Sequence, residues 1–325
     1  MSDMMSALRD STIRQYQSGW LKFQRFVVSS GVAVMSPSVP LDFATSLFHS
    51  PVRPSPATVA NALAAIRDPL WFGFGVVVDP RSWKLLQSSF FLQRPRPVRS
   101  SSLWSLPKVL NLFESRRFLV DPSPLDCLKR ALFLIALASG HRVSQLAALV
   151  RGPAFLRFFP GDTGVSLAPF PGFLAKNERD RHRLAPVFVR AWSEGGVPHA
   201  LCPVAALRAY LRVVGEPSDA LWVFPSSGTP LRADAVSRVL TKVIVEADPG
   251  ASPRAHQIRS YSSSLAFFRT FDLESVAAAG QWASPSVFVS RYLNPLLADT
   301  PCVVMGGVPP SHPPGDPGDG GLGNV

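Results

Sequence analysis

Apolar residues recur at spacings of three and four behind Ser11-Thr12. Ile13, Tyr16, Trp20, Phe23 and Val27 share one face, with Arg14, Lys22 and Arg25 between them. That period predicts an amphipathic helix, capped at Ser11-Thr12 and ending near Gly31. Three more helices are expected in the first hundred residues. They run from Pro40 to Phe48, from Ala57 to Leu70 behind Ser55-Pro56, and from about Asp79-Pro80 to Phe91. Leu106-Pro107 then opens a helix, and Ser123-Pro124 opens a longer one that ends at Gly140. Here the period changes. Ala154 to Phe159 and Val165 to Phe170 are short apolar runs around PGDTG, the pattern of a hairpin. Gly172 to Lys176 and Leu184 to Val189 flank the polar turn NERDRHR and read as two further strands. Helices return at Pro203 to Val214, Arg232 to Ala247, His256 to Thr270, Asp272 to Ala279 and Ser284 to Leu293. The fold class expected is mostly α with a small antiparallel β-sheet (α+β).

The 325 residues suit about two domains. A helical unit over 1–92 is followed by a linker over 93–103, a second unit over 104–304 and a tail over 305–325. The linker, QRPRPVRSSS, alternates proline with Arg94, Arg96 and Arg99, which predicts an extended basic strap suited to a phosphate backbone. The tail holds 7 Gly and 5 Pro and is expected to be disordered.

Charge sharpens the picture. The 33 bases outnumber the 22 acids, and 27 of those bases are Arg. Residues 1–100 hold 11 bases and 5 acids, 101–190 hold 13 and 6, and 191–325 hold 9 and 11. A basic front portion built on arginine is the footprint of a polyanion, most naturally nucleic acid. Three cysteines far apart (Cys127, Cys202, Cys302) exclude a disulfide framework and a cysteine-only zinc site. No apolar run reaches the ~18 residues of a membrane span, and the N-terminal MSDMMSALRD lacks the apolar core of a secretory signal. An intracellular protein without a membrane partner is expected.

Five pieces of the second unit carry chemistry. Gly140-His141-Arg142-Val143-Ser144-Gln145-Leu146 follows the long helix, and Lys176 ends a strand. His256 and Arg259, in AHQIR, stand at i and i+3 on one helical face. Trp282, in GQW, lies 23 residues further, and Tyr292, in FVSRYL, another 10. In this order and at these spacings the set resembles the tyrosine recombinase (phage integrase) family over residues 10–300. The segments LCPVAALRAYL and FPSSGTPLRADAVSRVL are similar to recombinases of eukaryotic DIRS-like, Ngaro-like and Crypton-like mobile elements.

Breaking a phosphodiester without metal needs a nucleophile, a proton acceptor, a proton donor and cations for the developing charge. The resemblance implies that Tyr292 attacks phosphorus while Arg142 and Arg259 grip the nonbridging oxygens. Guanidinium geometry suits that grip, and each such clamp contributes ~3–4 kcal/mol to the transition state. His256 would take the tyrosine proton, Lys176 would protonate the leaving 5′ oxygen, and the indole N–H of Trp282 would donate to the phosphate. No cofactor is called for. Arg94, Arg96 and Arg99 of the linker, with Arg179, Arg181 and Arg183 of NERDRHR, are candidate DNA-binding residues.

The sequence departs from the family's usual pattern at three places. His141 replaces an apolar residue, Gln145 replaces an acid that orients the arginine, and Trp282 replaces the commoner histidine. The resemblance further implies a C-shaped clamp on double-stranded DNA and a homotetramer on paired sites, with segment Asn294 to Asp299 exchanged between copies. It places the protein in the nucleus if the host is eukaryotic. A catalytically inactive DNA-binding derivative of a mobile element, a type IB topoisomerase-like enzyme and a telomere resolvase are the competing readings.

Overall fold

Four helices build the N-terminal unit: α1 (Asp10–Ser29), α2 (Val39–His49), α3 (Pro56–Phe74) and α4 (Pro80–Gln93). The computed structural model describes residues 10–95, 104–175, 185–216, 218–280, 282 and 284–293. The chain divides into two compact units, 1–100 and 101–325. Helix α1 is already under way at Asp10, so Ser11-Thr12 lie inside it rather than ahead of it. The Ser55 hydroxyl caps α3 by accepting the Thr58 N–H, and Gly75 ends it at φ 65, a backbone that glycine adopts without Cβ strain. Asp79 caps α4 through the N–H groups of Arg81 and Ser82. Helices α1 and α3 cross closely at Gly19, where a Cβ would fall 2.6 Å from that of Ala65. Phe23, Phe43, Leu63, Ile66 and Leu70 fill the core beside this crossing, and Phe48 stacks on Phe90 with ring centroids 4.1 Å apart.

The second unit is organised around α7 (Pro124–Ser139), which follows α5 (Leu106–Glu114) and α6 (Arg116–Leu119). Ser123 caps α7 by accepting the Asp126 N–H and donates its hydroxyl proton to the Asp126 carboxylate, which also takes two N–H donors from Arg117 at 2.5 and 3.1 Å. Leu128, Ala131, Leu132, Phe133 and Ile135 are wholly buried, because α9 (Pro203–Val214), α10 (Ala233–Ala247) and α11 (His256–Thr270) pack around α7. Helices α8 (Val143–Ala147), α12 (Leu273–Ala279) and α13 (Pro285–Arg291) complete the α-helices among the described residues.

The sheet corrects one expectation. Strands β1 (Leu156–Phe158) and β2 (Gly164–Leu167) form the hairpin around PGDTG, with Phe158 opposite Val165. Strand β3 (Val187–Arg190) then pairs antiparallel with β2, Val189 opposite Val165, giving the order β1-β2-β3. Residues 172–175 are turn and coil, so the described part of the strand expected from Gly172 to Lys176 does not form. Pro169 and Pro171 directly precede this stretch and offer no N–H to a ladder; β2 stops at Leu167 and Pro169 makes a lone bridge to Leu149. A second hairpin, β4 (Ser193–Glu194) and β5 (Val197–Pro198), is closed by Trp192 stacked on His199 with centroids 3.6 Å apart.

Apolar burial in this unit is split. One large core surrounds α7, while Val276, Trp282 and Phe288 form a separate cluster on which Phe267, Leu273, Tyr292 and Leu293 pack. Among the described residues no helix is long and apolar enough to cross a membrane.

Candidate active site

The turn after α7 sets the first arginine. Gly140 holds the left-handed backbone (φ 59) that reverses the chain, and Arg142 then stands at the N-cap of α8. Its backbone N–H donates to the Gln145 Oε1 at 2.8 Å. Gln145 is buried, so an amide fixes the main chain of Arg142 at the position where the resemblance commonly has an acid.

Helix α11 carries the second. It begins at His256, just after Arg254, whose N–H donates to Gln257 Oε1 at 2.7 Å. His256 is exposed at this first turn, whereas Arg259, one turn on, is only 2% exposed. The Nη1 of Arg259 donates to the Gly140 carbonyl and its Nη2 to the Gly280 carbonyl, both at 2.5 Å. One guanidinium therefore ties the turn before Arg142 to the end of α12.

Trp282 follows directly. Asp272 caps α12 through the Ser275 N–H, the chain turns at Gly280, and the Trp282 N–H donates to the Ala277 carbonyl at 3.0 Å. The indole lies across Gly280 so closely that a Cβ there would sit 1.7 Å from Cζ3. Arg259 Cζ lies 4.1 Å from the Trp282 ring centroid and 5.1 Å from that of Tyr292, and the two rings are 5.1 Å apart. Tyr292 closes α13, and its own carbonyl accepts the hydroxyl protons of Ser260 and Ser264 from α11.

The electrostatics follow from this crowding. Burial, reinforced by the charge of Arg142, pulls the Arg259 guanidinium down to about 10 against the support of Tyr292. Burial pushes the Tyr292 phenol up, but hydrogen bonding to Arg142 and the charges of Arg142 and Arg259 outweigh it and leave the phenol below its ordinary value. His141 is buried, its Nδ1 3.4 Å from the Ser139 carbonyl; desolvation, with the nearby charges of Arg259 and Arg142, pushes it down to about 4.

Three N–H donors of this cluster are buried without a partner among the described residues: Arg142 Nη1, Arg259 Nε and Trp282 Nε1. A buried donor left unmade is costly, so the arrangement suits an anion with several acceptor oxygens placed beside a nucleophilic phenol. Among the described residues no three His, Cys, Asp or Glu side chains gather as a metal-ligand set.

The structure thus brings Arg142, Arg259, Trp282 and Tyr292 together and starts the helix of Arg259 with His256. Lys176, Arg96, Arg99, Arg179, Arg181 and Arg183 lie outside the described residues. Arg94 is turned inward: its guanidinium donates to the carbonyls of Phe48 (2.7 Å) and Pro54 (2.8 Å) and sits 3.7 Å from the Phe48 centroid. Those bonds tie the end of α4 to its own unit, a different role from the phosphate contact expected of it. Gln145, which the resemblance put at the position that orients Arg142, does brace its main chain, whereas sequence reasoning missed Gly280 as the seat of Trp282, and Ser260 and Ser264 as the tie on Tyr292. A glycine two residues before a tryptophan was the one legible hint among these.

No family model and no curated protein matches the chain. Solved structures do. A XerH site-specific recombinase bound to palindromic difH substrate, in a post-cleavage complex, is 16% identical, with a TM-score of 0.60 over 90% of this chain and 80% of that one. The Tn1549 transposon integrase in complex with transposon right end DNA is 10% identical, with a TM-score of 0.54 over 94% and 96%. A lambda integrase dimer bound to a COC′ core site is 12% identical, with a TM-score of 0.53 over 88% and 89%. The mostly helical chain with its small antiparallel sheet has the fold of these tyrosine recombinases.

Proposed function

We propose that this protein is a site-specific DNA recombinase or integrase that cuts and rejoins duplex DNA through a covalent 3′-phosphotyrosine on Tyr292. The observation that carries the reading is the phenol of Tyr292 held below its ordinary value by two guanidinium groups that keep buried, unpartnered N–H donors. The likeness of fold to recombinases solved on DNA supports duplex DNA as the partner. Arg142 and Arg259 would neutralise the nonbridging oxygens, and Trp282 Nε1 would donate one more hydrogen bond. The Tyr292 oxygen bonds to phosphorus as its proton passes to His256. The bond from phosphorus to the 5′ oxygen breaks, and that oxygen leaves with a proton from Lys176. Attack by a second 5′ hydroxyl reverses these steps and rejoins the strand. Arg96, Arg99, Arg179, Arg181 and Arg183 would line the backbone on either side, and two paired sites would gather four copies of the chain.

The target sequence is found in the same experiment that tests the reading. The protein is incubated with a randomised library of nicked duplexes, whose cleavage releases a short fragment and so cannot be reversed. Protein-linked DNA is then recovered under denaturing conditions. The expected result is an adduct that peptide mapping places on Tyr292 and that Tyr292→Phe does not form. Binding of duplex DNA by the wild-type protein with no adduct at any sequence would overturn the enzyme reading in favour of a binding protein.

A further inference from the structure

Helix α11 carries the run Ser260, Ser262, Ser263 and Ser264, which the chemistry above does not use. A serine within a helix ordinarily returns its hydroxyl proton to a carbonyl one turn back. Ser263 does this, donating to the Arg259 carbonyl at 2.7 Å. Ser260 and Ser264 do not follow that habit alone. They stand at i and i+4 on one face, and both donate across to a single atom of another segment, the carbonyl oxygen of Tyr292; the Ser264 bond is 3.2 Å. Ser264 is fully buried and Ser260 half-buried, so water competes little for either bond.

The accepting carbonyl closes the end of α13, where carbonyls lose their partners within the helix. It belongs to the residue that carries the phenol, and Ser260 directly follows Arg259. Nucleophile and phosphate clamp are therefore referred to one rigid helix, and the side chain of Tyr292 keeps only its two torsions, with the ring packed against Trp282 and facing Arg259. We propose that Ser260 and Ser264 are positioning residues for the nucleophile, holding the main chain of Tyr292 so that its phenol stays under the two guanidinium groups. This rests on the recombinase reading for its consequence, but the tie itself is read from the geometry.

The small separate core makes the pair necessary. Among the described residues the apolar anchorage of α12 and α13 is the small cluster of Val276, Trp282 and Phe288, outside the large core around α7, and the Arg259 bond to the Gly280 carbonyl adds one polar tie. A displacement of about 1 Å at a reacting atom can cost ~10²-fold in rate.

The test compares wild type with Ser260→Ala, Ser264→Ala, the double variant and Ser260→Thr, which keeps the hydroxyl. Two readouts are taken. The first is single-turnover adduct formation and equilibrium binding on the duplex recovered from the library. The second is the titration of Tyr292 by NMR of carbon-13-labelled tyrosine, assigned with Tyr292→Phe. The double variant is expected to cleave at least tenfold more slowly with unchanged DNA affinity, while its phenol titrates closer to the ordinary value and Ser260→Thr behaves as wild type. A double variant with wild-type titration, or with wild-type cleavage, overturns the proposal. A wild type that forms no adduct, alongside a double variant whose phenol still moves, upholds the tie and removes the recombinase reading instead.

Discussion

The guanidinium carbon of Arg259 lies 4.1 Å from the ring centroid of Trp282, with the same guanidinium bonded to the carbonyls of Gly140 and Gly280. A planar cation with five donors can stack on an indole, join two chain segments and still keep N–H groups for a ligand; an ammonium cannot. Arg259→Lys is therefore expected to lose two roles together. Cleavage should fall about 10²–10³-fold, and the C-terminal cluster should loosen, seen as faster amide exchange across α12 and α13. Full activity in this variant would show that the bridge is dispensable.

Gly280→Ala is expected to act through space and not through backbone strain. The glycine has φ −78, which any residue adopts, but a Cβ would overlap the Trp282 ring. The indole must move, taking its face from Arg259, so adduct formation should fall about 10²-fold. Because this cluster is separate from the large core, the urea midpoint of the second unit should change little while the fluorine resonance of labelled Trp282 shifts. Unchanged cleavage would count against the seat assigned to Gly280.

His141 makes the fold sensitive to mild acid. Its ordinary value is 6.5 and the folded protein holds it near 4, with Arg259, Arg142 and the Ser139 carbonyl as its neighbours. Between these values the unfolded chain binds the proton and the folded one does not. Stability is thus complete above pH 6.5 and declines as the pH falls, by on the order of 3 kcal/mol at pH 4. His141→Leu should flatten this limb in chemical denaturation measured from pH 8 to pH 4. Parallel curves for the two proteins would remove His141 as the cause.

Tyr292 should titrate below the ordinary phenol value of about 10, because the opposing charges of Arg142 and Arg259 outweigh the effect of burial. Replacing Arg142 by Gln removes the larger of those influences. The phenol of the variant is expected to move up, and the alkaline rise of single-turnover cleavage should move with it. A phenol that titrates alike in both proteins would mean that Arg142 does not govern it.

Much of this molecule is local chemistry, and that part is legible in the chain. The helix bounded by Ser123 and Gly140 follows from a cap, a first-turn proline, an apolar run and a glycine that takes φ 59, all within reach of one another. Caps followed by first-turn prolines likewise set α3, α4 and α9, and turn chemistry sets the hairpin around PGDTG. The order of Arg142, His256, Arg259, Trp282 and Tyr292 pointed to a phosphoryl site before any contact was visible. Tertiary structure decided the rest, wherever the partner of a polar group lies far along the chain. Whether 172–175 formed a strand depended on a neighbour to pair with, and β3 took the place beside β2. Arg94 has an arginine's chemistry for binding phosphate, yet two carbonyls 40 and 46 residues away claim its donors. Ser260 and Ser264 read as ordinary polar helix positions until α13 lays the Tyr292 carbonyl against them. Periodicity and caps record which face is buried; they carry no record of which distant atom a buried donor will meet.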